Sequence, residues 1–107
     1  MLASDGILIV DEKGIIIFAN PTAASIYKVL GVGPIIGCRS YERQAHMSLV
    51  QKAMVSHQAC EAELTVDKMT LVQRAIPIIL NGICISTVVI LTDVTELKKK
   101  EKELLMT

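Results

Sequence analysis

Residues 70–95 constrain the fold of this chain more than any other stretch of its sequence. Apolar and β-branched residues fill both halves of the stretch, and the dipeptide Asn81-Gly82 lies between them. Asn and Gly tolerate the positive φ angles of a two-residue turn, so the pattern predicts two long antiparallel strands. Counting outward predicts these pairs: Leu80 with Ile83, Ile78 with Ile85, Ile76 with Thr87, Arg74 with Val89 and Val72 with Leu91. One face of the hairpin should then be almost wholly apolar.

Three further strands are predicted at residues 7–11, 15–19 and 61–66. The third turns at residues 67–68, so that Val66 pairs with Met69. The first two strands are continuous apolar runs rather than alternating ones, which predicts that both of their faces are covered. Helices can cover only one face. The other face needs a helix outside this chain or the same face of a second subunit, and a homodimer is the simpler expectation.

Two helices are predicted between the second and third strands. Asn20 is a suitable N-cap, Pro21 fits the first helical position, and Gly31 closes the first helix. The second helix is expected over residues 40–57, with an apolar stripe that begins at Leu49. A ligand pocket is expected between this helix and the sheet. Its candidate residues are Asn20, Leu49, Val50, Ala53, Met54 and Ile76.

The composition changes after residue 95 to a run rich in lysine and glutamate. Asp93 or Thr95 can cap a charged helix that leaves the sheet. A heptad-like seam of Val94, Leu97, Glu101 and Leu104 favours the start of a dimeric coiled coil. A fully solvated charged helix is the alternative. We therefore expect one domain over residues 1–95, and over residues 96–107 the start of a linker helix to an output domain outside this chain.

Two motifs bracket residues 5–96. The first is residues 5–11, followed by Gly14 and by Asn20-Pro21 with small residues after it. The second is a strand that finishes in Asp93-Val94-Thr95 and continues into Glu96 and a polar helix. In this order, the two motifs resemble the opening and the end of PAS sensory domains. The resemblance implies an α+β PAS fold, a five-stranded antiparallel sheet with helices packed on one face.

The PAS resemblance also implies a function. Such a domain is a sensory and dimerisation module of a cytoplasmic bacterial or archaeal signalling protein, upstream of a histidine kinase, a transcription regulator or a cyclic-dinucleotide enzyme. A small ligand or a conformational signal in the pocket would bias the hairpin and then shift the exit helix. Asp93 and Thr95 are the expected coupling residues, because they join the last strand to that helix.

Length and charge exclude several classes of protein. The 107 residues make one domain, and with 51% hydrophobic and 3% aromatic residues its core should be aliphatic. Eleven basic and eleven acidic side chains give zero formal net charge, which offers no electrostatic footprint for nucleic acid or an anionic membrane. No apolar run approaches the roughly 20 residues of a membrane span. Three cysteines without paired spacing indicate reduced thiols rather than a disulfide framework or a zinc site.

Two features raise the question of a cofactor. Cys38-Arg39 resembles the adduct-forming pair of flavin-binding light sensors, but those sensors carry asparagine before the cysteine, where this chain has Gly37, so flavin is not expected. His46 resembles the axial histidine of haem-bearing oxygen sensors in the family, which makes a haem gas or redox sensor the alternative function. Helical histidines are more often surface residues, and the expected distal arginine is replaced by Val66. A domain without a cofactor is the first expectation.

No catalytic constellation is recognisable in the sequence, so we expect a regulatory domain rather than an enzyme. A third interpretation also remains open. The many bulky Ile and Leu side chains could fill the core completely, which would leave a scaffold that dimerises and binds no ligand.

Overall fold

In the computed structural model of the chain, the described residues are 5–29, 36–37, 48–66 and 68–106. They form, in chain order, β1 (Gly6–Asp11), β2 (Ile16–Ala19), α1 (Pro21–Val29), α2 (Ser48–Ser56), β3 (Cys60–Val66), β4 (Met69–Leu80), β5 (Ile83–Asp93) and α3 (Thr95–Met106). The strands make one antiparallel sheet in the order β2-β1-β5-β4-β3. The predicted fold class is confirmed, and each predicted strand begins within one residue of its observed start. No helix in this described part of the chain is long and apolar enough to cross a membrane.

The hydrophobic core lies on one face of the sheet, under α1 and α2. Because side chains alternate along a strand, each strand gives every second residue to this face. The sheet contributes Leu8, Val10, Ile16, Leu71, Ala75, Val89 and Leu91, and the helices contribute Ala23, Ile26, Tyr27, Val50 and Ala53. The α2 helix lies within the predicted helix 40–57, of which residues 40–47 lie outside the described residues. Among the described residues the hydrophobic core is aliphatic apart from Tyr27, as the composition predicts.

The opposite side of the sheet is also apolar, and we call it the outer face. It consists of Ile7, Ile9, Phe18, Ile76, Val88 and Ile90, which pair across neighbouring strands. Ile9, Ile76, Val88 and Ile90 are half-buried, and Ile7 and Phe18 are exposed. Helices α1 and α2 pack on the core side, and the described polar contacts of α3 with β3 and β4 are at Thr70 and Glu63 rather than at these six residues.

The β4–β5 hairpin turns where the sequence predicts. Asn81 and Gly82 have φ angles of 52° and 78°, and Leu80 faces Ile83. A β-bulge then shifts the pairing by one residue, because Ile85 is an extra residue in β5. The predicted pairs beyond the bulge are therefore wrong: Ile78 faces Ser86, Ile76 faces Val88, Arg74 faces Ile90 and Val72 faces Thr92.

This one-residue shift changes which β4 side chains reach the core. Leu71, Gln73 and Ala75 share the core face with Val89 and Leu91. Ile76, predicted to line the pocket, lies instead on the outer face. The correction follows from the period of two in a strand, since a slip of one residue moves every side chain to the other side.

Asn20 joins the start of α1 to β1. Its Oδ1 accepts hydrogen bonds from the backbone N–H groups of Ile7 and Ala23, both at 2.9 Å. Its Nδ2 donates to the carbonyl of Asp5, also at 2.9 Å. The bond to Ala23 confirms the predicted N-cap. The side chain of Asn20 therefore ties the start of α1 to the backbone at the start of β1.

Replacing Asn20 with alanine should lower the free energy of unfolding by about 1–2 kcal/mol, because the cap and both bonds to the first strand are lost. Asn20→Asp is the matched control, since it keeps the Oδ1 acceptor and replaces the donor to Asp5 with a carboxylate oxygen. Urea unfolding measures both changes. Equal losses in the two variants would contradict the assignment of the main effect to the Oδ1 acceptor.

Candidate functional site

The junction between β5 and α3 is held to the start of β4 by the backbone of Thr70. Its N–H donates to Thr95 Oγ1 at 2.9 Å. Its carbonyl accepts from the N–H of Val94, also at 2.9 Å. Both polar groups of one residue thus bind the segment where the sheet ends and α3 begins.

Asp93 completes this network. Its Oδ1 accepts from the backbone N–H of Thr95 at 2.9 Å and from Thr95 Oγ1 at 2.5 Å. The Thr95 hydroxyl therefore accepts from Thr70 and donates to Asp93, so a change at any of the three residues alters the same chain of hydrogen bonds. We call Thr70, Asp93 and Thr95 the junction triad. The structure brings together the two predicted coupling residues, whose signalling role stays a prediction.

A second, weaker contact ties α3 to the edge of the sheet. Lys98 Nζ lies 3.6 Å from Glu63 Oε2 of β3 and 4.0 Å from Glu101 Oε2 in the next turn of its own helix. These side chains are about half exposed, so solvent screens the pairs and each contributes at most about 1 kcal/mol. The junction triad therefore holds the helix more firmly than these ion pairs do.

One leucine of the predicted seam of α3 is exposed to solvent. Leu97 is 57% exposed, and the side chain of Leu104 lies outside the described set. An exposed leucine between Glu96 and Lys98 agrees with a coiled-coil position but does not establish one. The seam therefore stays a prediction.

Four predicted pocket residues lie on α2, which packs over β3, β4 and β5. Val50 and Ala53 are fully buried, while Leu49 and Met54 are partly buried against the same core. Asn20 binds the backbone of β1 and α1, as described above. The α2 residues are placed where a ligand between helix and sheet would touch them, and a pocket role for them stays a prediction.

Neutral polar residues on the core face were not among the predicted site residues. Gln73 is 1% exposed, and its Nε2 has no hydrogen-bond partner. Thr87 is fully buried, with its Oγ1 3.8 Å from Cys84 Sγ. Burial raises the pKa of Tyr27 well above its usual range, which keeps its phenol neutral. Gln73 was missed because the predicted register put it on the face opposite Leu91, whereas the observed register pairs the two residues.

The cofactor predictions rest on residues of which the structure says nothing. Both Cys38 and His46 lie outside the described residues. Within the described ranges, the histidine is His57, exposed just after α2, and no group of three or more His, Cys, Asp or Glu residues is arranged to hold a metal ion. Cys60 and Cys84 are free thiols. The haem alternative through His46 therefore stays a prediction.

Comparison with known proteins connects this geometry to a family. A family model described as "PAS fold" matches residues 2–99. The sensor histidine kinase PdtaS of Mycolicibacterium smegmatis is 24% identical to this chain over an alignment 114 residues long. The alignment covers 94% of this chain and 23% of the kinase. The chain thus spans about a quarter of the length of this curated relative.

Solved structures share the fold at low sequence identity. The sensor region of a sensor histidine kinase superposes with a TM-score of 0.69 at 20% identity, covering 87% of this chain and 40% of that one. The PAS domain of histidine kinase ThkA gives a TM-score of 0.68 at 12% identity, covering 84% of this chain and all of that one. At these identities, the superpositions establish the architecture alone.

Proposed function

The chain belongs to the PAS family of sensory domains, and from this premise we propose that it relays a signal from its sheet, through α3, to an output domain. A histidine kinase is the output that the relative PdtaS favours. The domain itself is proposed to regulate rather than to catalyse. Its signal would be a small ligand in the core or a conformational change passed from a partner.

The observation that carries this proposal is the junction triad. Thr70 is the second residue of β4, directly before the core residue Leu71, and its two backbone polar groups bind Val94 and Thr95, where β5 passes into α3. A shift of β4 against β5 would therefore change the hydrogen bonds that orient the helix. Two such arrangements, differently populated with and without signal, would suffice to switch an output domain.

The outer face supports homodimerisation as part of this function. No charged residue occurs from Ala75 to Leu91, a stretch that includes the central part of this face. A charged pair lies toward its border, where Arg74 Nη2 is 3.1 Å from Glu61 Oε2. An apolar centre with a charged rim has the composition of a protein interface. A second copy packed on this face would bury it and bring two α3 helices into one assembly.

We expect the double variant Asp93→Ala/Thr95→Ala to uncouple α3 from the sheet. It removes the hydroxyl and the carboxylate of the junction triad, so the Thr70 N–H loses its acceptor. Amide hydrogen exchange in the first turn of α3 should then accelerate about tenfold or more. In a signalling protein that carries this domain before its output domain, the response to the signal should be lost.

Thr95→Ser is the matched control, because serine keeps the hydroxyl that accepts from Thr70 and donates to Asp93. Exchange and signalling should both stay near those of the parent protein. Unchanged regulation in the double variant would contradict the proposed coupling role of this junction. Faster exchange with unchanged regulation would show that the triad is structural only.

A further inference from the structure

We propose that Gln73 is a ligand-binding residue, and that it binds a small, uncharged molecule through a carbonyl or similar hydrogen-bond acceptor. This inference rests on the proposed sensory function and assigns a ligand class to the core side of the sheet. It concerns a different part of the domain from the junction triad.

Gln73 lies in the middle of the core face. Along β4 it stands between Leu71 and Ala75, and across the sheet it pairs with Leu91 of β5 and Ala62 of β3. Leu71, Ala75 and Leu91 belong to the buried core, and Gln73 itself is 1% exposed. The amide side chain of Gln73 thus has aliphatic core residues as neighbours on three sides.

The Nε2 group of Gln73 is a buried donor without a partner. Buried polar groups in folded proteins nearly always have a hydrogen-bond partner, because an unsatisfied donor loses its bonds to water and gains none in return. At this position a methionine of similar length would pack without that cost. An acceptor on a bound molecule would give the amide the hydrogen bond that the protein does not provide.

The charge of the surroundings selects the ligand. Among the described residues, the buried polar side chains besides Tyr27 are Gln73 and Thr87, and neither carries a charge. A carboxylate or phosphate bound here would therefore find no compensating cation among the described core residues, and burying an unpaired charge is strongly unfavourable. An uncharged carbonyl needs only a donor. The aliphatic neighbours then favour a molecule that is apolar apart from that oxygen.

Three probes of similar ring size test the proposal by ¹H–¹⁵N spectroscopy of the side-chain amide: cyclopentanone, cyclopentane and cyclopentanecarboxylate at neutral pH. Gln73→Met identifies the Gln73 signal by its disappearance. Cyclopentanone should shift this signal saturably, whereas the acceptor-free ring and the charged ring should not. Cyclopentanone should also bind about tenfold more weakly to Gln73→Met, as expected for one lost hydrogen bond.

Each of four results would overturn the proposal. They are no shift of the Gln73 signal with cyclopentanone, an equal shift with cyclopentane, tighter binding of the carboxylate than of cyclopentanone, and unchanged binding of cyclopentanone in Gln73→Met.

The same variant has a second readout that needs no ligand. Gln73→Met should raise the melting temperature of the ligand-free domain by about 4 °C or more, because it removes an unsatisfied buried donor. A lower melting temperature would show that the amide is needed for folding and would overturn the proposal. Exchange in the first turn of α3 of the ligand-free protein tests the junction triad separately, so failure here and failure of the coupling role are distinguishable.

Discussion

Replacing Val88 with lysine is expected to dissociate the proposed homodimer. Val88 lies on the central strand of the sheet, between Ile9 of β1 and Ile76 of β4, and is already half-buried in the single chain. In a dimer packed on this outer face, each subunit would bury one lysine without a counter-charge. Unpaired burial and like-charge approach cost several kcal/mol together. The dissociation constant should therefore rise about a hundredfold or more.

Sedimentation velocity over a concentration series measures this change. Thr65→Lys is the matched control, because it adds the same charge to the same side of the sheet at an exposed position on the edge strand β3. The control should dimerise like the parent chain. A parent chain that stays monomeric at high concentration, or a Val88→Lys variant that dimerises equally well, would contradict an interface on the outer face.

The melting temperature of Val88→Lys separates loss of the interface from loss of the fold. Val88 points away from the core, so a lysine there can extend its ammonium into water in the monomer. The variant should therefore melt cooperatively, and its transition should no longer depend on protein concentration.

Local features of the fold could be predicted from the sequence because they depend on a few neighbouring residues. The Asn81-Gly82 turn, the Asn20 cap and the change to a charged helix at Thr95 all have their own chemical signal. The bulge at Ile85 does not, because Ile83 to Ile90 reads as one continuous strand. Its position depends on pairing with β1 as well as β4, for instance Asp11 opposite Ser86 and the bond from Ser86 Oγ to the Val10 carbonyl.

The residues of the candidate site also fall into those that the sequence predicts and those that it does not. Asp93 and Thr95 could be predicted because their side chains make the bonds, whereas Thr70 contributes backbone groups that every residue except proline has. Gln73 has no local signal of its own in the sequence. Its burial depends on the register of β4 against β3 and β5, which only the assembled sheet reveals.

Replacing Gly6 with valine is expected to lower the free energy of unfolding by about 3 kcal/mol, the upper end of the usual cost of overpacking. Gly6 lies at the start of β1, where α1 crosses the strand. A Cβ added there would lie 3.1 Å from the Cα of Ala23 and 3.3 Å from both its N and the Cδ1 of Ile26. The Ile26 side chain can turn aside, but the Ala23 backbone can move only with the helix. Because a domain of this size is stable by only about 5–15 kcal/mol, the loss should be plain in urea unfolding.

Asparagine placed at two different glycines distinguishes lack of space from backbone conformation. Gly82 has a φ of 78° with no heavy atom within 4 Å of an added Cβ, and asparagine tolerates that conformation. Gly82→Asn should therefore lose about 1 kcal/mol or less, while Gly6→Asn should lose nearly as much as Gly6→Val. Similar losses at the two sites, or a loss below about 1 kcal/mol in Gly6→Val, would show that α1 can move away from β1 at little cost. A loss of stability at Gly6 but not at Gly82 would mean that the close contact at Gly6 fixes α1 against β1.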